Sequence, residues 1–232
     1  GVVVVVWYMR KKREFLRQRF FQQINRVRME NLRSRISPHF TFNVLGREIN
    51  QFNGSEEVKH NLMELVKYLR RSLELTEKLS VSLQDELDFV RTYIELERGR
   101  VGEDFVATIT VEDGLDATRI MIPSMIVQIP VENAIKHGLA GKDGKKELMV
   151  YVSRETNGIR ITVTDNGRGY LPQVVSATRG TGTGLKVLYQ TIQLLNTKNK
   201  SDKIRFNITN RSDGQTGTEV SVYIPFRFSY DL

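Results

Sequence analysis

The sequence predicts an α+β protein, a helical N-terminal hairpin followed by an α/β sandwich, and three observations predict it. Residues 14–36 and 56–76 carry apolar residues at helical spacing, with no glycine or proline inside either stretch. From Phe105 onward, short segments alternate apolar and polar residues as half-buried strands do. Two helical stretches, Pro123 to Leu139 and Leu185 to Leu195, lie among those strands, which places one sheet under helices on a single face.

The chain has 232 residues, 40% of them hydrophobic, enough for one or two modest cores. It opens with nine apolar residues ending in Trp7, Tyr8 and Met9, followed by Arg10-Lys11-Lys12-Arg13. That run is too short to span a bilayer, which needs about 20 residues. Aromatic residues followed by a basic cluster read as the cytoplasmic exit of a transmembrane helix. The expectation is a membrane location, with this segment on the cytoplasmic side. Five valines in the same run are also compatible with a buried strand.

From Glu14 to Ile36, Leu16, Phe20, Ile24 and Val27 recur as a stripe, reading as a coiled-coil-like helix that Pro38 interrupts. The next helix runs from Glu56 to Thr76 with Leu62, Leu65, Val66, Leu69 and Leu73 on one face and Ser55 as its cap. A hairpin of two such helices leaves its stripe uncovered, so pairing with a second copy into a four-helix bundle, a homodimer, is expected. A third helix starts near Ser82, where Asp85 completes a capping-box pattern, and runs toward Arg98. The strands follow at Phe105 to Val111, Leu148 to Ser153, Ile159 to Thr164, Ile204 to Thr209 and Thr218 to Ile224.

Composition narrows the chemistry. With no cysteine there is no disulfide, thiolate metal site or cysteine nucleophile, and three scattered histidines do not make a metal centre. The formal net charge of +8 resides in residues 1–35, which hold ten Lys or Arg against two Glu. A nucleic-acid enzyme would spread its basic residues over a folded face, so no nucleic-acid partner is expected.

Three blocks in the second half carry chemistry. They are Gln128-Ile-Pro-Val-Glu132-Asn133-Ala-Ile-Lys136-His137-Gly138, then Asp165-Asn166-Gly167-Arg168-Gly169, then Gly180-Thr181-Gly182-Thr183-Gly184-Leu185. Singly, each has an ordinary structural reading as a turn or a helix start. Their chemistry converges, however. Glycines before a helix present N–H groups to phosphate at the positive end of the helix dipole. Asn133 offers a neutral oxygen suited to Mg²⁺, and Lys136 and His137 follow one turn later. Asp165 can accept the exocyclic amine of adenine, while Gly167 and Gly169 let the backbone approach the ring. Together they describe a site for ATP and Mg²⁺.

These blocks resemble the nucleotide-binding boxes of the GHKL ATPase superfamily, which contains gyrase, Hsp90, MutL and the histidine kinases. Arg35-Ile-Ser-Pro38-His39-Phe40-Thr-Phe42-Asn43 resembles the Pro-His-Phe-x-Phe-Asn motif of LytS-type sensor histidine kinases. Val81-Ser-Leu-Gln-Asp-Glu86-Leu, with Tyr93-Ile-Glu95, is similar to that family's connector. The likeness runs from about Leu32 to Pro225. It implies that His39 is autophosphorylated and passes its phosphoryl group to an aspartate of a response regulator. It also implies that Asn133 holds Mg²⁺ and Asp165 reads adenine, with Gly167 and Gly169 shaping that pocket. By the same resemblance, Thr181, Gly182, Thr183 and Gly184 would form the phosphate loop, Lys136 and His137 would touch phosphates, and Thr218 would support the adenine site. Tyr170 to Arg179 would be the lid over the nucleotide. The implied division is 1–9, end of a membrane helix; 10–36, signalling helix; 37–80, dimerisation and phosphotransfer hairpin; 81–102, connector; 103–232, ATP-binding domain.

Many histidine kinases place an acidic residue directly after the histidine; here Phe40 stands there, so Asn43 is the residue expected to orient the imidazole or a water. The superfamily's ATPases carry a water-activating glutamate one turn before the Mg-binding asparagine, where this chain has Ile129. That favours transfer to a side chain over hydrolysis, and leaves Glu132 to pair locally. Two other readings stay open: a serine kinase of the anti-sigma type, which needs no histidine-bearing hairpin, and a non-catalytic dimeric scaffold. An acid-labile, alkali-stable label from γ-labelled ATP separates the three.

Overall fold

The structure, a computed structural model, describes residues 6–12, 14–15, 19, 56–170, 183–197, 199 and 201–230. The expectations for His39, Asn43, Ser55, Thr181, Gly182 and most of the lid fall outside these residues. Residues 6–12 are helical with exposed side chains. Among the described residues, no helix is long and apolar enough to cross a membrane.

Helix α1 (Glu56–Glu77) buries Leu65, Tyr68, Ser72 and Leu75 at helical intervals. Its partner is α2 (Leu83–Val101), with the Tyr68 ring stacked 4.9 Å from Phe89 and 5.8 Å from Tyr93. Leu65, part of the stripe expected to face a second copy, is thus covered within the chain. Helix α2 starts as the capping pattern requires: the Ser82 hydroxyl oxygen accepts from the Asp85 N–H at 3.0 Å. It ends at Gly102, where φ is +112° and the N–H donates to the Arg98 carbonyl at 3.1 Å.

Strand β1 (Ser80–Ser82) pairs antiparallel with β3 (Met121–Pro123) in a small separate sheet. Among the described residues the main sheet has five strands: β2 (Phe105–Val111), β4 (Lys146–Glu155), β5 (Gly158–Asp165), β6 (Arg205–Asn210) and β7 (Thr218–Pro225). Their spatial order is β2-β4-β5-β7-β6, parallel between β2 and β4 and antiparallel elsewhere. The register sets Val150 beside Val163 and Val163 beside Val220, so alternate apolar residues line one face. That face joins the buried residues of α2, of α3 (Gln128–Asn133) and of α4 (Thr183–Asn196) in one core. The opposite face leaves Met149 and Tyr151 exposed.

One expected element is corrected. Pro123 to Leu139 is not a single helix. Its first residue ends β3, a turn follows with Met125 at φ +71°, and α3 begins only at Gln128. Ser124 explains part of this: its N–H donates to the Leu79 carbonyl at 3.2 Å, and its hydroxyl donates to the Leu75 carbonyl. Partners far away in sequence thus take the donors a longer helix would leave open. After Asn133 the helix widens into a π turn over Ala134–Gly138, closed by the Leu139 N–H donating to the Ala134 carbonyl at 2.8 Å. Such widened turns recur at functional sites.

Candidate functional site

The π turn delivers Gly138 to the end of β5, where Asp165 is 4% exposed. Its Oδ1 accepts the Gly167 N–H at 2.7 Å and the Thr218 N–H at 3.4 Å. Burial pushes the carboxyl above the usual carboxylate range, against the bonds from Gly167 and Thr218 and the charge of Arg211. A carboxylate kept dry in this way favours a ligand that donates a hydrogen bond to it.

Three glycines make that enclosure. A Cβ on Gly138 would lie 2.8 Å from Asp165 Oδ1. One on Gly167 would lie 2.1 Å from the Gly138 carbonyl oxygen, and one on Gly217 1.9 Å from the Asp165 carbonyl oxygen. Gly217 also sits at φ +140°, a conformation that side chains rarely tolerate. Gly169 (φ +85°) backs onto Asn210, whose side-chain oxygen accepts the Tyr170 N–H at 2.5 Å and whose amide donates to the Tyr170 carbonyl at 3.2 Å. Gly167 and Gly169 therefore meet this chain's own backbone and side chains. Gly138, Gly217 and Asn210 carry no expected role in the sequence. The signal for the first two was present, since Gly138 closes the first block and Gly217 directly precedes Thr218.

Asn133, Lys136 and His137 lie on the turns leading to Gly138. The Asn133 amide donates to the Ile129 carbonyl at 2.9 Å, and among the described residues no donor reaches its Oδ1. Lys136 is ion-paired with Glu132, the local pairing expected for that glutamate. His137 is depressed below the usual imidazole range, first by burial and then by the nearby Lys136 and Arg168, with Glu132 opposing. Arg168 itself donates to the Ala140 carbonyl at 2.9 Å. Asn166 is structural: its Oδ1 accepts the Glu147 N–H at 2.8 Å and its amide donates to the Lys145 carbonyl at 3.0 Å. His60 is exposed, as its charged neighbourhood predicts.

Asp165, Gly167 and Thr218 are thus brought together with Gly138, and Asn133, Lys136 and His137 precede it on one helix. Thr183 and Gly184 open α4, with Thr183 its first residue. Among the described residues no group of three or more His, Cys, Asp or Glu could hold a metal ion. The donor set fits a metal arriving with a nucleotide, for which one protein oxygen suffices and phosphates and water complete the shell.

Residues 27–105 match the family model for the histidine kinases. Residues 118–227 match that for the histidine kinase-, DNA gyrase B- and HSP90-like ATPases. Among curated proteins, the chain is similar to the sensor histidine kinase YpdA of Escherichia coli, 28% identical over 205 residues, covering 88% of this chain and 35% of that protein. It is similar to the sensor histidine kinase/phosphatase LytS of Staphylococcus aureus, 32% identical over 197 residues, covering 81% of this chain and 33% of that protein. The chain spans about a third of the length of these relatives. Among solved structures, the histidine kinase domain of the blue-light activated kinase from Erythrobacter litoralis EL346 covers 79% of this chain and 94% of its own, at TM-score 0.47 and 18% identity.

Proposed function

We propose that the chain is a histidine kinase, which the matches over residues 27–105 and 118–227 support, and that it binds Mg-ATP, phosphorylates His39 and passes the phosphoryl group to an aspartate of a response regulator. The observation that carries the reading is the dry Asp165 carboxylate, enclosed by Gly138, Gly167 and Gly217 at the end of the helix bearing Asn133. Bound Mg-ATP supplies the phosphoryl group and the cation that neutralises charge during its transfer.

Each side chain has a task that follows from its setting. Asp165 accepts the adenine amine, and the Thr218 N–H that holds it in place keeps it oriented. Asn133 turns its open Oδ1 to Mg²⁺, since its amide nitrogen is committed to Ile129. Lys136, paired with Glu132 in the free protein, exchanges it for a phosphate. His137, whose pKa burial and the Lys136 charge push down, donates a ring N–H to the phosphates. The glycines and threonines from Thr181 to Gly184 contribute N–H groups at the start of α4. His39, as neutral imidazole, attacks the γ-phosphorus through a ring nitrogen with Asn43 orienting the ring; the N–P bond forms as the bond to the β–γ bridging oxygen breaks, ADP leaves, and the ring's other nitrogen gives its proton to solvent.

The proposed organisation keeps residues 37–80 as a hairpin that dimerises with a second copy, 81–102 as connector and 103–232 as the ATP-binding domain. Residues 1–9 and 10–36 would connect to a bacterial membrane. The test is labelling with γ-labelled ATP. Wild type should acquire an acid-labile, alkali-stable label, and His39→Gln should lose it while binding ATP normally. Full labelling of His39→Gln would sink the assignment.

A further inference from the structure

Glu86 lies in the first turn of α2, is 0% exposed, and belongs to none of the roles above. Its two oxygens reach across to the turn before α3. Oε2 accepts the Met125 N–H at 2.9 Å, and Oε1 accepts the Val127 and Gln128 N–H groups at 3.1 and 3.2 Å. That turn cannot cap itself. Val127 offers no side-chain hydrogen bond, and Ser124, the one hydroxyl between residues 124 and 127, is committed to Leu75. Met125 is held at φ +71°, the one non-glycine residue with positive φ among those described. An L side chain persists there only where its surroundings over-determine it.

A buried carboxylate is costly unless its charge is met by donors, and here three backbone donors meet it. The same three bonds fix the backbone from which α3 departs. Asn133 follows five residues after Gln128, about 7.5 Å along a helix axis, so a displaced start carries the asparagine with it. We propose that Glu86 is a positioning residue for phosphoryl transfer: its carboxylate clamps Met125 to Gln128 and thereby sets where Asn133 presents its oxygen to the metal–nucleotide complex. The proposal rests on the reading of Asn133 as the Mg²⁺ ligand. The clamp also ties the site to the hairpin side of the molecule, because Gln128 Nε2 donates to the Tyr68 hydroxyl on α1 at 3.4 Å.

The test uses the full 232-residue chain and compares ATP affinity with Mg²⁺ and with EDTA, by calorimetry. Glu86→Gln keeps the shape but turns an amide donor toward N–H groups, so at least one of the three bonds is lost. In that variant, Mg-ATP should bind about tenfold more weakly, as expected for a lost charge-assisted hydrogen bond, with Mg-free ATP unchanged. In an Asn133→Ala background the same substitution should cost nothing further, because both changes act on one ligand. Equal, additive losses in both backgrounds would show a general structural role and overturn the proposal. So would an unchanged Mg²⁺ effect in Glu86→Gln while Asn133→Ala is impaired. An unchanged Mg²⁺ effect in Asn133→Ala would instead overturn the reading of Asn133. Should Glu86→Gln not fold, Glu86→Asp keeps the charge one methylene short and takes its place. If neither folds, the carboxylate holds the domain rather than the ligand, and the proposal falls.

Discussion

Two buried carboxylates, Glu86 and Asp165, divide the molecule into a clamp and a receptor. Both are almost fully enclosed, and both are met by backbone N–H groups. Glu86 uses each of its oxygens, with three donors from one stretch of chain. Asp165 takes its two backbone N–H bonds on a single oxygen and is walled by glycines rather than side chains. A carboxylate satisfied by its own chain holds structure. One left with spare acceptor capacity beside closely packed glycine backbone is arranged to meet something else.

The sharpest break in this comparison is Gly217→Ala. A methyl placed 1.9 Å from the Asp165 carbonyl oxygen, at φ +140°, has nowhere to go. It should cost roughly 3–5 kcal/mol in a denaturant titration, because backbone must move and a left-handed residue is strained. Next is the contrast between the carboxylates themselves. Glu86→Ala strands three N–H groups in the core and should cost about 3 kcal/mol. Asp165→Asn should cost under about 1 kcal/mol, since an amide escapes the charge-burial penalty, yet it should weaken ATP binding about tenfold. Equal stability losses in the two variants would erase the distinction between clamp and receptor.

Tyr68→Phe removes only the hydroxyl that Gln128 meets and keeps the ring stack on Phe89. It should lower stability by about 1 kcal/mol in the same titration. The smallest expected effect is on pH dependence. His137 has its folded pKa below the usual value of about 6.5, so the native state binds fewer protons there. Its contribution is present above that pH and is lost as pH falls through the folded pKa. Asp165 acts with the opposite sign: its raised pKa favours the native state in acid, and that advantage disappears as pH rises through it. Thermal melts from pH 7.5 downward should therefore show a loss of stability that His137→Gln reduces, while Asp165→Asn should alter only the more acidic range.

Much of this was readable in the residues. The start of α1 at Glu56, strand β2 from Phe105 to Val111 and the Ser82–Asp85 cap lie where local pattern places them. Each depends on periodicity or on groups within a few residues. Strands β1 and β3 escaped notice because three residues carry no measurable period, and their pairing joins Val81 to Ile122. Local pattern extends α3 too far because the groups that stop it, Glu86 and the Leu75 and Leu79 carbonyls, lie more than thirty residues away. The apolar stripe of α1 announced that something must cover it, but spacing alone cannot say whether that is α2 or a second copy.

The sequence by itself determined the longer helices and strands and which residue types gather in the three blocks, because propensity, capping and hydrophobic period are local properties of the chain. Tertiary structure decided what each of those residues is for. Gly138, Gly167 and Gly217 look like ordinary turn residues until backbone from three separate segments closes on Asp165. Glu86 looks like a solvated helix residue until Met125, Val127 and Gln128 turn their N–H groups toward it. Van der Waals exclusion and hydrogen-bond satisfaction act between atoms close in space, and only the folded chain determines which atoms those are.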